Sequence, residues 1–105
     1  MDGNTLTTLC DVAKRKCNVT WKDEDTDKRI QEIVENAYES VRHMLGIKSA
    51  PDDAFLKPGK ARTIFENYCW YDWNNMLDQF QPNYRREILA ERHRNEVENA
   101  SESAE

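Results

Sequence analysis

A chain of 105 residues is enough for one domain, and with 38% hydrophobic residues and a mean hydropathy of −0.96 its core can only be modest. The net charge of −5 argues against a protein that grips duplex DNA, because that grip comes from Lys and Arg neutralising phosphates. No run approaches the ~20 apolar residues of a membrane span, Met1-Asp2-Gly3-Asn4 lacks the basic start of a secretion signal, and the three cysteines point to free thiols made in a reducing cytosol.

The first helix is predicted over 5–17. Leu6, Leu9, Cys10, Ala13 and Cys17 share one face there, with Asn4 or Thr5 as the cap. Asn18 to Trp21 then reads as a short extended linker. The second helix, 25–45, carries the clearest stripe: Ile30, Ile33, Val34, Ala37, Tyr38, Val41, Met44 and Leu45. Asp23, Glu24, Asp25 and Asp27 crowd its start, where the helix dipole favours acids. Glu24–Lys28 and Asp25–Arg29 are spaced as supporting pairs, and Gly46 stands where a C′ glycine belongs.

Lys48 to Lys57 reads as a polar loop with a turn at Pro51-Asp52-Asp53. Pro58-Gly59 opens a third helix, 60–80, that is apolar nearly all round. Its broad arc holds Ala61, Ile64, Phe65, Tyr68, Cys69, Trp73, Met76 and Phe80, while Trp70 and Leu77 lie on the other side. A helix apolar on both sides is central in a fold or shared with another subunit. After Gln81-Pro82-Asn83, a fourth helix spans 83–98. Tyr84 and Ile88 share one side of it; Arg86, Ala90, His93 and Val97 share another, with Leu89 between. The expected fold is therefore all-α, a small bundle of about four helices in one domain over 1–98, followed by a flexible acidic tail over 99–105.

No constellation for chemistry emerges. Cys10, Cys17, Cys69, His43 and His93 lack the paired spacing of a zinc site, and no local signature marks any cysteine as a nucleophile. The acids at 23–27 lack the spacing and central glycine of a calcium loop. No catalytic residue, metal or cofactor is expected. Asp72 falls inside the apolar arc of the third helix and needs a partner, with Arg62 and Arg92 as candidates; an interface role is the alternative. The aromatics Tyr68, Trp70, Tyr71 and Trp73 are interleaved with acids and amides rather than bases, which suits a core or a subunit interface better than nucleic acid.

Three blocks carry a resemblance. Val19-Thr20-Trp21 followed by Asp23 to Ile30 resembles the start of the second helix in the small head–tail connector proteins of tailed phages. Asn67 to Phe80 is similar to that family's central helix. Asn83-Tyr84, Glu87-Ile88, Arg92 and Glu96-Val97 are similar to its closing helix. The resemblance spans most of residues 6 to 97. It implies a non-enzymatic virion protein, assembled in the bacterial cytoplasm. Such proteins form a homo-oligomeric ring under the portal protein, pass DNA without binding it specifically, and receive a head-completion or tail-terminator protein. It implies that the helix around Tyr84 to Val97 docks on the portal and that the second and third helices supply ring contacts. The expected interface residues are Trp70, Asp72, Leu77, Tyr84, Arg86, Ile88, Arg92 and Val97. The competing reading is a protein-binding or DNA-regulatory module, such as a small helix-turn-helix regulator or a terminase small subunit. That class calls for a helix of clustered Lys and Arg free of acids, whereas the fourth helix mixes Arg with Glu.

Overall fold

The acidic run at Asp23 starts a helix, as its charge pattern requires. Asp23 holds extended backbone, its carboxylate accepts from the Thr26 amide at 3.1 Å, and Glu24, Asp25 and Asp27 fill the first turn. A computed structural model describes the chain through Ser103, and its side chains through Ala100. The helices are α1 (Gly3–Lys16), α2 (Glu24–Met44), the short α3 (Pro51–Leu56), α4 (Lys60–Trp73) and α5 (Phe80–Ser103), with a 3₁₀ turn at Leu77–Gln79 before α5. No strand forms among the described residues. The result is the expected small all-α bundle, with corrected boundaries.

Three helices end in the same way. Asn18, Gly46 and Asn75 take left-handed backbone with φ of 59°, 65° and 58°. At each, the residue's own amide and the one after it reach back to close a Schellman turn. Gly46 N–H donates to the His43 carbonyl and Ile47 N–H to Arg42; Asn75 N–H donates to Asp72 and Met76 N–H to Tyr71. The glycine stop at Gly46 matches its sequence signal. The stop at Asn75 corrects the expected helix over 60–80, which ends at Trp73. Met76 and Phe80 therefore do not belong to that helix.

The remaining differences have local causes. α1 begins earlier than expected because Asp2, not Asn4 or Thr5, caps it by accepting from the Thr5 amide at 2.8 Å. α5 starts at Phe80 rather than residue 83. Pro82 sits in its first turn, where the missing N–H has no helical partner to lose. Its helical backbone also continues past 98 to Ser103, so the part of the expected flexible tail that is described is helical; residues 104–105 lie outside the described residues. The polar loop contains α3 because Phe55 is fully buried, with its ring 5.0 Å from Phe65 and 5.6 Å from Tyr38.

α2 packs on both α1 and α4, and these two also touch. Their shared core holds Leu9, Ile30, Val34, Val41, Leu45, Phe65 and Cys69 with no exposed surface. Burying one such Leu, Ile or Phe stabilises by roughly 1.5–3 kcal/mol. Lys14 ties α1 to α2 through Asp27 at 2.9 Å. The Glu24–Lys28 pair forms loosely at 3.9 Å on the surface. The expected Asp25–Arg29 pair does not form. Arg29 instead donates to the Trp73 carbonyl at 2.6 Å and lies over the Trp73 ring at 4.4 Å, joining the start of α2 to the end of α4.

Candidate docking surface

α5 is the least absorbed helix. It packs on α4 and the 3₁₀ turn along one narrow inward line: Phe80, Tyr84, Ile88, Glu91, Asn95 and Asn99. The line changes character halfway. Its first half is aromatic, with Phe80 stacked on Tyr84 at 5.0 Å and Tyr71 edge-on to both. Phe80 is buried against Tyr68 as well.

The second half is polar and finishes α2. The last carbonyls of a helix lack intrahelical partners. Asn95 donates to the Leu45 carbonyl at 2.7 Å, Asn99 to Gly46 at 3.3 Å, and Arg92 reaches His43 and Met44 at 3.5 Å each. The Arg92 guanidinium also suits the negative end of the α2 dipole. Arg92 pairs with Glu96 at 2.9 Å, and Arg94 with Glu91 and Glu98 at 2.9 Å each. Glu91 is buried, so Arg94 supplies the charge partner that a buried carboxylate needs.

The opposite side of α5 faces outward. Pro82, Arg85, Arg86, Leu89, Ala90, His93 and Val97 are exposed, Leu89 at 55% and Val97 at 53%. Two open depressions of about 590 and about 500 Å³ run along it, both bordered by Pro82, Arg85 and Leu89. Among the described residues Arg85 and Arg86 enter no ion pair.

The expected interface residues divide accordingly. Arg86 and Val97 lie on the outward face. Ile88 is buried, Tyr84 is half-buried in the aromatic line, and Arg92 is a capping group, so these three serve the fold in the isolated chain. Trp70 is half-buried and edge-on to Tyr71 at 5.3 Å; it and Tyr84 border a depression of about 250 Å³ together with Lys16 and Asn67. Leu77 sits in the 3₁₀ turn, partly buried beside Met44 and Phe80. Asp72 is half-buried, and neither expected partner meets it. Arg62 is held by Glu66 at 3.4 Å and by the Leu56 carbonyl, and Arg92 by the end of α2. Burial raises the Asp72 carboxyl above the usual carboxylate range, with Arg29 pulling it partly back.

Sequence reasoning passed over Arg85, Leu89, Glu91, Asn95 and Asn99 as functional or structural groups. A signal existed: Arg92, Asn95 and Asn99 are spaced to line one helix face. The expectation of a flexible tail over 99–105 hides it, because it separates Asn99 from the helix.

No group of three or more His, Cys, Asp or Glu gathers for a metal among the described residues. Burial pushes all three thiols up, Cys17 to about 11, which disfavours the thiolate a nucleophile needs. No helix of the described residues is long and apolar enough to cross a membrane. No protein-family model matches the chain, and no curated protein or solved structure matches it either.

Proposed function

We propose that this protein is a structural component of a tailed-phage virion, a ring subunit at the portal vertex that joins the filled head to the next head-completion or tail protein. The observation that carries the reading is the outward face of α5. Among the described residues Arg86, Leu89 and Val97 stand exposed along it, on a helix whose inward side is already used by the fold. In this reading the second half of α5 meets the portal. A net charge of −5 suits a channel through which DNA slides without sticking. The regulator reading is disfavoured because Arg92 and Arg94 are committed to Glu96, Glu91 and Glu98, so that among the described residues only the adjacent Arg85 and Arg86 of the α5 arginines remain without an ion pair, short of a basic cluster.

Mixing the purified chain with the portal ring of the same virus tests the proposal. Mass photometry is expected to show a cyclic oligomer seated on the portal, and Val97→Asp to weaken the binding about tenfold or more. Monomer alone, with and without the portal ring, would sink the proposal. So would tight duplex binding that falls steeply with added salt.

A further inference from the structure

We infer that the first half of the outward α5 face, around Pro82, Arg85, Arg86 and Leu89, docks the start of α2 of a second copy, Trp21 with Glu24 and Asp25. The inference rests on the ring reading and deepens it by naming one contact between neighbours.

The two patches complement each other. Arg85 and Arg86 are adjacent cations without an ion pair among the described residues, on a chain of net charge −5, and they flank an exposed Leu89. Trp21 is the largest exposed apolar side chain among the described residues, 50% open, and it stands beside Asp23, Glu24 and Asp25, which outnumber the nearby cations Lys22 and Lys28, the latter 3.9 Å from Glu24. Its indole N–H donates to the Thr26 hydroxyl at 3.2 Å, which holds the ring in place before any partner arrives. Arginine stacks on tryptophan as well as pairing with acids. The chain already makes such a pair within itself, with Arg29 over Trp73 at 4.4 Å.

Among the described residues no hydrogen bond or ion pair joins the two patches within one molecule. α2 has 21 residues, about 30 Å of helix. Trp21 precedes its first turn, while Gln81 at the start of α5 borders a depression with Ser40, His43 and Met44 at its last turns. Each patch is left open to meet the other on a different copy. Such a head-to-tail contact uses two unlike surfaces, so it propagates, closing into a ring when the rotation allows and into a filament when it does not.

A charge exchange tests it. Glu24→Lys/Asp25→Lys makes both patches basic, and Arg85→Glu/Arg86→Glu makes both acidic. All four side chains are exposed, so circular dichroism should show the fold intact. In sedimentation velocity up to millimolar protein, each variant alone is expected to self-associate roughly tenfold or more weakly than the native chain. An equimolar mixture should recover association, because each acidic patch then meets a basic one. Leu89→Ala should weaken self-association without lowering the thermal midpoint. The contact is overturned if the native chain stays monomeric, if either variant associates like the native chain, or if the mixture does no better than its components. A native chain that still loads onto the portal ring after such a result leaves the ring reading standing without this contact. Recovery in the mixture without portal binding by the native chain would do the reverse.

Discussion

Tyr38 and Asp52 carry the polar contact that locks α3 in place. The Tyr38 hydroxyl, on the buried stripe of α2, donates to the Asp52 carboxylate at the start of α3. That bond, with help from the Thr5 hydroxyl, lowers the Asp52 carboxyl; burial and then the same bond push Tyr38 up to about 12. An unfolded tyrosine titrates near pH 10, roughly. The folded state thus keeps a proton that the unfolded state gives up. This contribution to stability is fully present below about pH 10 and drains away as pH rises toward the folded value. Tyr38→Phe is expected to cost about 1 kcal/mol at neutral pH, a fall of roughly 4–8 °C in thermal midpoint, and to flatten the alkaline loss of stability relative to the native chain. Parallel alkaline profiles for the two would count against this account. Neither partner was legible as such in the sequence. Tyr38 fitted the apolar stripe and Asp52 fitted a turn, and only packing brings them together. Asp72 is the converse case. Its place among apolar residues was readable, but its neighbours were not, because an ion pair depends on which distant helix arrives.

At the scale of elements, the periodicity of α1 and α2 was enough to locate them within a residue or two. Gly46 was readable as a stop because glycine has few other reasons to follow a periodic stripe. Asn75 was not, although it ends α4 by the same turn. Asparagine tolerates the left-handed region but does not announce it, and the aromatic run continued the helical spacing past the break. Asn75→Ala should destabilise by about 1 kcal/mol or more, since a methyl side chain meets the left-handed penalty without asparagine's local hydrogen bonding. Asn75→Gly should be neutral or mildly stabilising. Urea unfolding of the two variants checks both signs, and equal stability of Ala and Gly at this position would refute the assignment. α3 escaped notice for a different reason: six residues are too few to display a period, and Phe55 alone does not reveal what it packs against.

Over the whole molecule, α5 is two devices in one helix. Its first half joins the core through Phe80, Tyr84 and Ile88; beyond Leu89 no apolar side chain is buried among the described residues. The rest is held by Arg92, Asn95 and Asn99 on the end of α2 and by its own ion pairs. A chain ended after Leu89 should therefore still unfold in one cooperative step. It should be less stable by about 2–3 kcal/mol, the worth of a few helix-capping hydrogen bonds. Loss of cooperative unfolding would mean that the second half belongs to the core. Hydrogen exchange in the full chain should likewise be fastest along that half, where backbone is exposed and no apolar burial opposes opening.

The sequence by itself determined the helical class, the stripes that face the core and the acidic start of α2. These follow from composition and from spacing along the chain, which are local quantities. Tertiary structure decided where α4 stops, that Phe55 is core, that Arg92 caps a helix rather than reaching for a partner, and that Leu89 and Arg85 stand outward. Each depends on what another helix covers, and a mixed-charge helix such as α5 carries no period strong enough to say which of its sides will be covered.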